Sequence, residues 1–185
     1  RSQDVHNPTV SSKPFDINDY KIDRFYPKDF ESQKPFYAFF KSRGIDFATR
    51  CAFHHSFFLA SKTAKDGSTY KNLSFPMYIP GQPDKCVGLE ERGYPRKDGS
   101  ARKGMATGTN ASEGLWMASP KNTALQDARI VLVFESAYDA MAFYQLQIRK
   151  ESGLDQRGRK DLKAGVYVST GGNPSYGQIQ GLLKA

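Results

Sequence analysis

Two carboxylates four residues apart, Glu135 and Asp139, sit where an apolar run gives way to a helical pattern in RIVLVFESAYDAMAFYQL (129–146). An unpaired charge is expensive to bury, so a Glu closing what reads as a fully buried strand needs a reason. In an open parallel sheet, functional groups gather just beyond the carboxyl ends of the strands. The strand-then-helix pattern puts Glu135 at such an end. It puts Asp139 in the first turn of the following helix, near the positive end of its dipole. Two acids so placed suit a divalent-metal or proton-transfer site. The plainer alternative is that Asp139 only steadies the helix terminus and Glu135 faces water.

Charge bears on that choice. The chain has 185 residues, with 27 Lys and Arg against 19 Asp and Glu, a formal charge of +8. A balance of this kind favours polyanionic partners such as nucleic acid or nucleotides. Five of the bases (Arg92, Arg96, Lys97, Arg102, Lys103) crowd into 92–103 with Asp98 as the one acid, a cationic patch or a solvated loop. No run of 18 apolar residues offers a membrane span. The amino-terminal stretch has no apolar signal core, and a cytoplasmic setting is expected. The chain does not begin with Met and is expected to be cut from a longer protein. Cys51 and Cys86 have no ligand-spaced partner, so both are expected to be reduced and structural.

The elements that must hold these residues fall into two units behind a polar arm at 1–19. From 20 to 125 the pattern is α+β. DYKIDRF (19–25) alternates as a short strand, SQKPFYAFFKSRGID reads as one helix ended by Gly44, and DFATRCAF as a second capped by Asp46. SFFLAS, NLSFPMYIP (72–80) and CVGLEERGY (86–94) read as a meander of antiparallel strands, with GQPD as a turn. SEGLWMAS (112–119) is a further strand with Trp116 as its core anchor. The other aromatics are mostly expected in the core as well. From 126 onward strand (129–135), helix (137–150), a polar loop ESGLDQRGRK, strand (164–170) and helix (175–184) form a parallel α/β unit. Ala137, Ala140, Met141, Tyr144 and Ile148 make one apolar stripe toward the sheet. The fold class is α/β (α+β).

VFESAYDAMAFYQL resembles the first motif of the Toprim domain of bacterial primases, topoisomerases and related nucleases: strand, Glu, three residues, Asp, helix. Primases carry Gly after the Glu. Ser136-Ala137 here is closer to a Toprim subgroup of mobile-element and plasmid proteins. GVYVSTGGNPSYGQIQGL resembles the next Toprim element. Upstream, FYAFFKSRGID, NLSFPMYIPGQPDKCVGLEERG and GTNASEGLWMAS resemble segments of the primase amino-terminal subdomain, so the likeness spans roughly 35–185. The Asp-x-Asp pair that Toprim proteins place on a later strand is absent from this sequence. The expectation is therefore a chain truncated before that motif or a degenerate Toprim.

The resemblance implies magnesium-dependent nucleotidyl or phosphoryl transfer on a single-stranded DNA template with nucleotides. In it Glu135 is general acid or base or a metal ligand, and Asp139 a metal-site or structural partner. Arg92, Arg96, Arg102 and Lys103 would grip phosphates, and Asn110, in the polar stretch that joins the units, would bind nucleic acid with them. The fragment itself would bind magnesium weakly or not at all and would not polymerise. Two other readings stand beside the primase-like one, a non-catalytic nucleic-acid-binding module and a Toprim nuclease or nickase. An unrelated α/β domain is the bland alternative.

Overall fold

Short alternating runs rich in aromatic and aliphatic residues pair into a single eight-stranded sheet. The chain is known from a computed structural model that describes residues 13–64, 66–149 and 152–185. Strands β1 (Lys21–Asp23), β2 (Phe58–Thr63), β3 (Thr69–Tyr78) and β4 (Cys86–Arg92) pair antiparallel in succession, the meander that the turn residues predict. Strand β5 (Lys103–Met105) folds back along β4, and β6 (Leu115–Ala118) pairs with β3. Strand β7 (Val131–Phe134) runs parallel to β8 (Val166–Ser169), and β8 lies antiparallel to β6. The class is mixed α/β. The sheet crosses the expected boundary at 125/126 without a break, because β6 and β8 come from the two expected units and share a ladder.

Most helices cover the face of the sheet that carries the main core, while the last packs Leu182 with Leu115, Val166 and Val168 on the other face. Helix α1 (Phe30–Gln33) passes through a 3-10 turn at Lys34–Phe36 into α2 (Tyr37–Lys41). One continuous helix was the expectation here. Pro35 has no N–H to give, and the segment tightens at that point instead. Gly44, at φ +66°, turns the chain out of α2. Asp46 then caps α3 (Phe47–Ala52) by accepting from the Thr49 N–H. Helix α4 (Ala137–Ile148) buries Ala137, Ala140, Met141 and Tyr144 against the sheet, the stripe that the spacing predicts, with Ile148 partly buried. Helix α6 (Tyr176–Lys184) begins at a capping box of Ser175 and Gln178. Between them lies α5 (Gln156–Ala164).

Helix α5 corrects the expected loop at 151–160, of which Glu151 and the preceding Lys150 fall outside the described residues. Asp155 caps it through the Gly158 N–H, and Leu162 is its buried contact. The run QRGRKDLKA is so polar, with Gly158 inside it, that its composition reads as a loop. Residues 93–102 join β4 to β5 as an exposed turn that two backbone bonds close, with Gly93 donating to the Arg102 carbonyl and Arg96 to that of Ser100. Strand β7 is not fully buried either. It edges the sheet, with Val131 41% and Val133 49% exposed while Leu132 and Phe134 face the core. Of the expected arm, 13–19 are described; Phe15 bonds the Gly108 carbonyl and a 3-10 turn follows at Ile17–Asp19.

The main core is aromatic. Phe25, Phe36, Phe40, Phe53, Phe57, Phe75, Trp116 and Tyr167 are each at most 1% exposed. Their rings meet mostly edge to face, as Phe53 does with Tyr167 at 5.4 Å and 90°. Trp116 satisfies its indole N–H on the Ser56 carbonyl at 2.7 Å. Cys51 and Cys86 are free. Among the described residues no helix is long and apolar enough to cross a membrane.

A buried amide ties α4 to the α2–α3 turn. Gln145 accepts from the Asp46 N–H at 2.7 Å and donates to the Gly44 carbonyl at 2.9 Å. Gln145→Leu would keep the volume and strand both backbone groups. The expected cost is about 2 kcal/mol, read as a lower denaturant midpoint at unchanged slope.

Candidate functional site

Helix α4 opens on Ser136, whose hydroxyl accepts from the Asp139 N–H at 3.2 Å and donates to the Asp139 carboxylate at 2.6 Å. That cap fixes the chain at the end of β7, with Glu135 just past the last strand residue. Glu135 and Asp139 are both exposed, and both line a cleft of about 620 Å³. The cleft's other sides are Arg43 after α2, Arg92 and Lys103 on the β4–β5 ribbon, and Gly171, Gly172 and Asn173 after β8. Strand ends, a helix start and a cationic ribbon therefore meet at one place.

Period-two alternation decides which bases arrive there. Arg92 and Lys103 are direct cross-strand partners, so both point to the cleft side. Arg102 opposes Gly93 and lies on the other face, where its charge acts on the buried Glu91. Arg96 is exposed at the ribbon tip and does not line the cleft. Asn110 is committed to its own turn. Its amide nitrogen donates to Glu113 at 3.0 Å, and its oxygen accepts from the Ser112 hydroxyl at 2.8 Å and the Glu113 N–H at 3.3 Å. Of the residues picked from sequence, the fold gathers Glu135, Asp139, Arg92 and Lys103, and leaves Arg96, Arg102 and Asn110 elsewhere.

It also recruits residues that the sequence reading did not single out. Tyr138, 5% exposed, carries the guanidinium of Arg43 at 5.2 Å and that of Arg92 at 5.7 Å from its ring centroid. Its hydroxyl donates to the Phe39 carbonyl at 3.1 Å, and burial keeps the phenol protonated far above its ordinary range. One ring thus sets the direction of both arginines. Arg43 precedes the left-handed Gly44, and that turn was the sequence signal for its place.

Behind the cleft lies Glu90, 1% exposed. Its carboxylate accepts from Arg92 at 2.8 Å, from the Ser169 hydroxyl at 2.7 Å, and from the Ala137 N–H at 3.3 and 3.4 Å. Ser169 in turn accepts from the Gly171 N–H at 3.1 Å. One carboxylate therefore joins β4, the end of β8 and the first turn of α4. Burial raises the Glu90 carboxyl above its ordinary value of 4.5; Arg92, Ser169 and the Ala137 N–H pull against that rise, and Asp139 adds to it. A signal for Glu90 existed in sequence, an acid at a core-facing position of a strand (CVGLEER).

Magnesium in phosphate sites commonly takes one or two protein carboxylates, with water and phosphate oxygens completing the shell. Glu135 and Asp139 match that share. Among the described residues no group of three or more His, Cys, Asp or Glu could hold a metal ion. The pair fits an ion shared with a phosphate-bearing substrate, not a cage built from protein alone. No family model, curated protein or solved structure matches this chain.

The Glu90 shift has a definite sign. A carboxyl raised on folding stabilises the protein below its ordinary value, and that contribution is lost as pH rises through the raised value. Glu91 is raised by burial too and adds to the slope. Glu90→Gln is expected to flatten the fall in stability above about pH 4.5. Urea midpoints of wild type and variant across pH 5–8, compared as a difference, measure it.

Proposed function

We propose that this chain handles nucleic acid through the mixed-charge cleft, as part of a primase-like Toprim protein concerned with replication or mobilisation of DNA. The observation that carries the reading is the meeting of Arg43, Arg92 and Lys103 with Glu135 and Asp139 around one opening. Cations on one side attract a phosphate backbone, while acids at a strand end suit phosphoryl chemistry on it. Glu135 is the residue assigned to general acid or base work, because its side chain has no partner among the described residues. Asp139 keeps one oxygen on Ser136 and the other open toward the cleft. Magnesium, when bound between these carboxylates and a phosphate, would neutralise charge and position the reacting oxygen. Arg92 and Lys103 would orient the strand, and Arg43 would extend the cationic edge.

A binding module without catalysis is the second reading, favoured by the Ser136 hydroxyl that occupies one oxygen of Asp139. Primer synthesis on single-stranded template by the full gene product, with and without Glu135→Gln, separates the two. Loss of activity in the variant with retained binding supports catalysis. Strand scission in place of synthesis would point to a nuclease.

Two outcomes follow for the chain itself. Lys103→Ala should weaken binding of a labelled oligonucleotide and lower the slope of log affinity against log salt by about one. An unchanged slope would remove Lys103 from the phosphate track. Calorimetric titration with magnesium alone should give weak or undetectable heat, and micromolar affinity lost in Glu135→Gln would show that the two acids suffice without phosphate.

A further inference from the structure

Tyr94 is 64% exposed, an unusual place for a large ring in a chain that spends most of its aromatics on the core. It sits two residues beyond Arg92, just past the end of β4 in the connection to β5. Its ring meets the buried Phe39 edge to face, centroids 5.4 Å apart at 81°. Rungs on either side hold it. Gly93 donates to the Arg102 carbonyl at 2.8 Å and Arg96 to the Ser100 carbonyl at 2.7 Å. The tip is closed by Asp98, which accepts from the N–H and hydroxyl of Ser100, with Gly99 in the left-handed region. The result is a ring packed on Phe39 and otherwise exposed, next to the cationic ribbon. Tyr26, Tyr37 and Tyr176 are exposed as well, but none of them lies in the connection between β4 and β5.

We infer that Tyr94 is a stacking platform for a base of an unpaired polynucleotide strand whose backbone runs along Arg92 and Lys103. The inference rests on the proposal that the cleft handles nucleic acid, and it narrows the partner to single-stranded nucleic acid. An aromatic ring stacks on any base, since every base has a π-face. It needs a base with a free face, and the bases of a duplex have theirs occupied by their neighbours. The cations next to the ring hold phosphates without reading sequence. Arg96 and Lys97, exposed at the tip, prolong the positive track past Tyr94. The preference would then be for unpaired strands with little choice of base.

The test uses the full chain, an unstructured labelled oligodeoxythymidylate, a duplex of the same length, and tripolyphosphate as competitor. Tyr94→Leu keeps an apolar contact on Phe39 but has no π-face. It should bind the single strand about tenfold more weakly, with duplex and tripolyphosphate affinities unchanged. Tyr94→Phe should match wild type. Wild-type affinity for the single strand in Tyr94→Leu overturns the platform, and the nucleic-acid reading survives if Lys103→Ala still weakens binding. Equal losses for all three ligands in Tyr94→Leu mark a structural role and overturn it too. Failure of the wild-type chain to bind any of them ends both proposals.

Discussion

The carboxylate of Glu90 is the joint on which the cleft depends. Taking a carboxylate out of water is costly unless donors converge on it. Three do so here, each from a different element: Arg92 from the ribbon, Ser169 from the end of β8 and the Ala137 amide from the start of α4. Breaking a buried pair by removing one partner is generally far worse than never having had it. The cationic ribbon and the acid-bearing strand end are therefore held in register with each other. A hydrophobic residue at position 90 could fill the space, but it would take from Arg92 its carboxylate partner and from the first α4 amide this acceptor.

That arrangement has an electrostatic consequence. Glu90 neutralises much of Arg92, so the uncompensated cations of the opening are Arg43 and Lys103, set against Glu135 and Asp139. Net charge at the opening is close to balanced, although the chain carries +8. Attraction of a polyanion then depends on where the cations stand. Tyr138 sets that geometry for two of them through its ring, and the Arg92–Lys103 rung sets it for the third. Much of the remaining positive charge lies outside the cleft.

Sequence pattern alone carried the strand order of the meander, the parallel β7–α4–β8 unit and the place of Glu135. Each of these rests on local period and punctuation: alternation in β2 to β4, turn residues at GQPD, the Ala-Ala-Met-Tyr stripe of α4. What stayed hidden was non-local or apolar-poor. Helix α5 is almost wholly polar, buries Leu162 and carries Gly158 in its interior, so its composition reads as a loop. The run 92–103 reads as a loop because Gly, Pro and charge dominate it, and that composition does not show the two backbone bonds that close it between β4 and β5. The basic cluster within that run could not be sorted by composition. Its members divide between the two faces by register, which sends Arg92 and Lys103 to the cleft and Arg102 to Glu91. Arg43, Tyr138 and Glu90 come together only through contacts across 47 or more residues, such as that of Ala137 with Glu90.

Ser136 settles how the two acids of the opening differ. Its hydroxyl caps α4 and grips one oxygen of Asp139. A glycine at that position would leave Asp139 free to turn with its helix. With serine, Asp139 is partly spent on starting the helix, and its remaining oxygen points where the cap directs it. Glu135 has no such engagement among the described residues and sits four positions closer to the strand, directly after Phe134. The two carboxylates are therefore not interchangeable. Glu135 is the unengaged carboxylate of the opening, and Asp139 is the one whose orientation the helix cap sets.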